Sequence, residues 1–161
     1  MSQTADQTSQ NAASAAQDAA SAAQDAASAA QNAASTVDTI FAAPHLRWGV
    51  IGCGVIANQM AEALASVGRT IDGVANRTQE KAVAFAQKHH VKRVYDSIDD
   101  LLASDEIDAV YLTTPHNTHI IYLRKALQAG KHVLCEKSIT LNSAELLEAE
   151  ELARQNGVQL M

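Results

Sequence analysis

The chain has 161 residues, is 47% hydrophobic, and sets 18 acidic against 12 basic residues for a net charge of −6. That length fits one domain of ordinary size better than two. A mildly acidic chain without a basic block argues against nucleic acid or an anionic membrane surface as the partner.

The hydrophobic fraction is inflated at the start of the chain. Of 32 alanines, 15 lie in residues 1–37, where no Val, Leu, Ile or aromatic residue precedes Val37. Residues 10–37 are four heptads: QNAASAA, QDAASAA, QDAASAA and QNAASTV. A coiled coil needs large apolar residues at two seam positions, and this repeat offers alanine alone. Alanine favours helix but buries little area, so residues 1–37 read as a solvated, partly helical tail. Self-association through an Ala-lined helix is the second reading. Residues 38–46 read as a linker broken at Pro44. The first basic residue is Arg47, which fits neither a secretory nor a mitochondrial leader. No window approaches the roughly 18 strongly apolar residues of a membrane span. Cytoplasmic residence is therefore the default expectation.

From Arg47 onward, β-branched runs alternate with helical patterns. RWGVI (47–51) reads as a strand and Val55–Val67 as a helix closed by Gly68. TIDGVA (70–75) is strand-like, and Thr78 is a cap for a helix reaching His90. VKRVY (91–95) is a short strand, and Ser97 caps a helix running to Ala103. DAVYLT (108–113) is a strand, followed by a helix from Asn117 to Ala129. HVLCE (132–136) is the next strand. Asn142 with Glu145 predicts a capping box for a helix reaching Asn156. Val158–Met161 begins another strand. Cys53 and Cys135 fit neither a disulfide scaffold nor a metal-ligand spacing and read as small core residues. Strict β/α alternation predicts a doubly wound parallel sheet with helices on both faces, in a Rossmann or a flavodoxin-like strand order.

The chemistry-bearing residues fall at strand ends. Gly52-Cys53-Gly54-Val55-Ile56-Ala57 is a G-x-G-x-x-A turn directly after the first strand. Gly52 permits the turn, Gly54 lets a pyrophosphate approach the backbone, and Ala57 packs helix on strand. The amides at Val55 and Ile56 open the helix toward the phosphates. At the end of the second strand, a carboxylate would hold a free ribose 2′-hydroxyl. Here Asn76 and Arg77 stand instead, which favours NADP over NAD. Beyond the fourth and fifth strands lie Thr114-Pro115-His116 with His119, and Glu136-Lys137. Both loops share a rim with the glycine turn, so they are candidates for contact with cofactor or substrate. His116 and His119 have no evident third metal ligand, and no metal site is expected.

These segments together resemble the glucose–fructose oxidoreductase / inositol dehydrogenase (Gfo/Idh/MocA) family. Its marks are GVIGCGVIA (49–57), SIDDLLASDEIDAVYLTTPHNTH (97–119) and AGKHVLCEKSITL (129–141). The resemblance covers residues 47–161 and is closest to the dihydrodiol and xylose dehydrogenase branch. It implies an NADP-dependent oxidoreductase that moves a hydride between nicotinamide and a carbon bearing a hydroxyl, on a sugar, polyol or related compound. It assigns catalysis to Lys137 with Glu136 beside it. The family reads Glu-Lys-Pro there, and Ser138 replaces the proline. Family enzymes carry a second α/β domain after this half, so residues 47–161 correspond to the cofactor half alone. A non-catalytic dinucleotide-binding or assembly module is the alternative.

Overall fold

The computed structural model describes residues 17, 20–24, 27–28 and 45–161. The chain divides into two units, Met1–His45 and Leu46–Met161. In the first, residues 17, 20–24 and 27–28 are helical and exposed, and His45 is exposed outside any helix or strand. The rest of the predicted tail, and the linker up to Pro44, lie outside the described residues.

In the second unit, five strands form one parallel sheet: β1 (Trp48–Ile51), β2 (Gly73–Ala75), β3 (Arg93–Val94), β4 (Ala109–Leu112) and β5 (His132–Cys135). Five helices connect or flank them: α1 (Val55–Ser66), α2 (Gln79–His89), α3 (Ile98–Ala103), α4 (His119–Gln128) and α5 (Ser143–Asn156). The strand order is β3-β2-β1-β4-β5. Winding therefore reverses between β1 and β4, and this order selects the Rossmann arrangement over the flavodoxin-like one. The crevice produced by the reversal lies at the carboxyl ends of those two strands.

Side-chain alternation divides the core. Val50 of β1 and Tyr111 of β4 face Ala57 and Ala61 of α1 and Phe85 of α2. Their neighbours Ile51, Val110 and Leu112 face the opposite layer, with Leu101, Leu123, Leu127, Ala149 and Ala153. Small residues at Ala57 and Ala61 bring α1 close to the sheet.

Local signals account for most boundaries. The Ser97 hydroxyl accepts from Asp100 N–H and caps α3. Asn142 caps α5 by accepting from Glu145 N–H, and the Glu145 carboxylate accepts in return from Leu141 N–H. Thr78 stands at the α2 cap position, but its side chain makes no capping bond. The helix predicted from Asn117 instead begins at His119, after a 3₁₀ turn over His116–Thr118 in which Thr118 N–H donates to Pro115 O. β2 starts at Gly73, later than the predicted Thr70. The segment expected as a sixth strand makes one isolated parallel bridge, Leu160 to Val133. No helix among the described residues is long and apolar enough to cross a membrane.

Charged groups tie down the amino ends of the strands. Asp72 accepts from Trp48 N–H at 2.8 Å and pairs with Lys92 at 2.5 Å. Asp108 accepts from Arg47 N–H, Nε and Nη2 at 2.8, 2.9 and 2.5 Å. The buried Lys131 ammonium donates to Ser104 O and Ile107 O at 2.7 and 2.8 Å. Replacing Lys131 with Met keeps the stem and leaves two carbonyls without their donor. Unfolding in urea should show a loss of about 1–3 kcal/mol.

The Arg47 guanidinium, chiefly by hydrogen bonding, holds the Asp108 carboxyl down to about 2. A depressed carboxyl contributes its full stability above the ordinary carboxylate range and loses it as pH falls toward the folded value. Asp108→Asn should therefore lower the melting temperature at pH 6 and narrow its gap to the wild type by pH 2.5. A gap that stays constant across that range would show that this pair does not contribute to acid stability.

Candidate functional site

The site begins where β1 leaves the sheet. Gly52 has φ +102°, a left-handed backbone that L side chains rarely adopt. A Cβ there would lie 2.7 Å from Thr113 Oγ1 and 3.1 Å from the Thr113 carbonyl carbon. Glycine is thus needed for both the turn and the approach to β4. Gly52 N–H donates to Ala75 O at 3.1 Å, so the turn also rests on β2.

Gly54 stands at the cap position of α1, where no side chain bonds the first-turn amides and no acid occupies the first turn. A Cβ built on Gly54 meets nothing within 4 Å. The helix therefore presents unpaired N–H groups and its positive end to open space, a ready place for an anion. Ala57 is fully buried beneath it, while Val55 and Ile56 are exposed.

A cavity of 470 Å³ adjoins this turn, within the range of small-molecule sites. Of the residues expected at the site, Gly52, Gly54, Asn76, Arg77, Thr114 and Pro115 line it. Cys53, Thr78, Lys81, Ile98, Thr113, Thr118 and Tyr122 complete the lining and were not singled out from the sequence. Lys81 carried a legible signal, since it follows Arg77 by four positions across the start of α2. Ile98 and Tyr122 carried none, because only the packing of α3 and α4 brings them to this wall. Cys53 is half-buried, and burial pushes its thiol up to about 11.

Charge is distributed unevenly here. Asn76 turns inward, its amide nitrogen donating to Thr78 O at 2.9 Å. No carboxylate stands at the end of β2. Among the described residues Arg77, Lys81 and Lys137 take part in no ion pair, while seven other basic residues are in ion pairs.

Of the candidates on the loops after β4 and β5, Thr114 and Pro115 line the cavity, whereas His116, His119, Glu136 and Lys137 do not. His119, expected to touch the cofactor, is fully buried. Its Nε2 lies 2.7 Å from Thr114 O and its Nδ1 2.8 Å from Ser138 O, with Cys135 Sγ 3.4 Å from Nδ1. The ring is committed to the backbone and is absent from the cavity wall. The reason is its place as the first residue of α4, turned inward against β5. His116 is exposed and meets the His119 ring edge-on. Glu136 is half-buried and accepts from the Tyr111 hydroxyl. Lys137 is exposed, and its peptide bond to Ser138 is cis. Burial, then the neighbouring Glu136, pushes the Cys135 thiol up to about 12. No group of three or more potential metal ligands occurs among the described residues.

Known proteins share this arrangement. Over 119 residues the chain is 37% identical to trans-1,2-dihydrobenzene-1,2-diol dehydrogenase of Mus musculus, covering 72% of this chain and 36% of the relative. It is similar to KijD10, a 3-ketoreductase from Actinomadura kijaniata in complex with NADP and TDP-benzene. That match has a TM-score of 0.69 and 33% identity, over 73% of this chain and 37% of that one. UDP-N-acetylglucosamine 3-dehydrogenase GnnA from Acidithiobacillus ferrooxidans matches with a TM-score of 0.65 and 33% identity, over 73% and 38% of the two chains. The chain thus spans little more than a third of the length of these relatives. The profile described as "Oxidoreductase family, NAD-binding Rossmann fold" matches residues 46–161. The chain belongs to the GFO_IDH_MocA oxidoreductase family through its NAD(P)-binding domain.

Proposed function

We propose that residues 47–161 are the NADP-binding half of a dehydrogenase acting on a sugar, polyol or diol. One observation carries the choice of NADP: the wall of the cavity facing the glycine turn holds Arg77 and Lys81 unpaired, with neutral Asn76 where a carboxylate would repel a phosphate. Two cations without internal partners keep their full attraction for a ribose 2′-phosphate. The open space at Gly54 and the uncapped start of α1 fit a pyrophosphate. KijD10, similar over this domain, is described in complex with NADP.

When bound, the nicotinamide exchanges a hydride with the carbinol carbon of the substrate. The chain's own residues supply position and protons. Gly52 and Gly54 shape the phosphate turn, and Thr113 and Thr114 hold the opposite wall. Lys137, exposed at the end of β5, donates a hydrogen bond to the substrate oxygen and holds or releases its proton. Glu136 beside it is occupied by Tyr111 and is available to orient rather than to react.

Calorimetric titration of the purified chain with NADPH and NADH tests the cofactor assignment. NADPH should bind more tightly. Preference for NADH would overturn the reading.

The cation pair yields a sharper test. Arg77→Ala and Lys81→Ala should each weaken NADPH by about tenfold, the lower end of a charge-assisted bond because the site is open to solvent. Neither should change NADH by more than about twofold. Asn76→Asp should weaken NADPH as well, by placing a carboxylate beside the phosphate, and added salt should narrow every difference. Equal losses for the two cofactors would show that these side chains support the loop or stack on the base instead.

A further inference from the structure

β5 delivers Lys137 between two residues that are each held by a buried group from elsewhere. On one side Glu136 accepts from the Tyr111 hydroxyl. On the other, the Ser138 carbonyl lies 2.8 Å from His119 Nδ1. The two holders belong to opposite layers of the fold. Tyr111 projects from β4 into the cluster beneath α1 and α2. His119 opens α4, whose Leu123, Ala126 and Leu127 enter the other cluster.

Both holders are shielded from water, at 6% exposure for Tyr111 and 0% for His119. Polar bonds in such surroundings are strengthened, and breaking one leaves a costly orphan. Burial, then the Glu136 carboxylate, pushes the Tyr111 phenol well above its ordinary range, so the hydroxyl keeps its proton and remains a donor. Carbonyl oxygens only accept. A His119 ring with one N–H donates to one loop, and a ring with two donates to both. Its Nε2 lies 2.7 Å from the carbonyl of Thr114, a residue of the cavity wall. The imidazole thus stands between the cofactor wall and the lysine loop.

We propose that Tyr111 and His119 are positioning residues for Lys137, fixing the chain immediately before and after it and tying that segment to Thr114. The proposal rests on Lys137 serving the proton step. Neither residue reaches the reacting atoms, and each acts through where the lysine backbone sits. The lysine side chain is long and exposed, without an ion pair of its own, so its placement depends on the peptide units that flank it. Small displacements of such a group are costly to catalysis.

The test uses the full chain. Backbone ¹⁵N relaxation without cofactor should give order parameters near ~0.85 at Lys137 and Ser138 in the wild type. In Tyr111→Phe and in His119→Gln they should fall below ~0.6 at those residues, with the Gly52–Gly54 turn unchanged. Unchanged order at Lys137 and Ser138 in both variants overturns the proposal. So does a loss of order spread over the whole domain, which would show general support of the fold. Tyr111→Phe removes a single oxygen and carries the test alone if His119→Gln does not fold.

A second readout separates this proposal from the function beneath it. Reductive ¹³C-methylation marks the Lys137 ammonium, assigned by loss of its signal in Lys137→Arg. NADPH should shift that signal in the wild type and shift it less in both variants. An equal shift in wild type and variants overturns the positioning role. No shift in the wild type, with order parameters behaving as expected, supports the clamp and overturns the placement of Lys137 beside the nicotinamide.

Discussion

The contact between Gly52 and Thr113 governs the carboxyl rim of the sheet. β1 must leave the sheet flush between β2 and β4, and the space for it ends at the Thr113 carbonyl. Thr113 in turn bonds back to β1, its N–H donating to Ile51 O at 3.0 Å and its hydroxyl to the same oxygen at 3.2 Å. The turn is therefore fixed on both sides by backbone before any ligand arrives. Because it is fixed, α1 starts where its free amides face the crevice, and the loops after β2 and β4 form the two walls. A side chain at residue 52 would push β1 and β4 apart and move the whole rim.

Reading the residues in order recovered much of this and missed some of it, for identifiable reasons. The glycine turn and the caps at Ser97 and Asn142 depend on neighbours within a few positions, so spacing reveals them. Strand order does not. The same string of elements fits two sheets, and only the pairing of β1 with both β2 and β4 distinguishes them. Thr78 has the right residue type for a cap, yet its side chain makes no capping bond, while Asn76 reaches across to bond the Thr78 carbonyl. Ile98 and Tyr122 belong to helices whose approach to the cavity is a product of packing on the α3–α4 side. His119 was legible as a residue near the rim but not as one facing inward. That orientation follows from the 3₁₀ turn that delays the start of α4.

The heptad repeat teaches the converse. Its period is the most regular feature of the sequence, yet a repeat of alanine, serine, glutamine and small polar residues offers nothing large to bury. Periodicity specifies a fold only when the repeated position holds a side chain that loses substantial area to water. In residues 47–161 the apolar positions are irregular in sequence, yet they sort into two clusters with little ambiguity.

Charge separates the two ends of the sheet by purpose. At the amino end, the partners are all internal. Asp72 holds Lys92 and the Trp48 amide, Asp108 holds Arg47, and buried Lys131 is satisfied by two carbonyls. Such pairing locks the strand ends. At the carboxyl end, Arg77, Lys81 and Lys137 stand without acidic partners in a protein whose net charge is −6. With 18 acids available, neutralising them would have been simple. Leaving these cations unpaired, two of them in the cavity beside the glycine turn, forgoes part of the stability that ion pairing gives. Arg77 and Lys81 line the same cavity that adjoins the uncapped start of α1. The same residue types thus follow opposite rules at the two ends of the sheet: paired where strand ends are held together, unpaired beside the cavity.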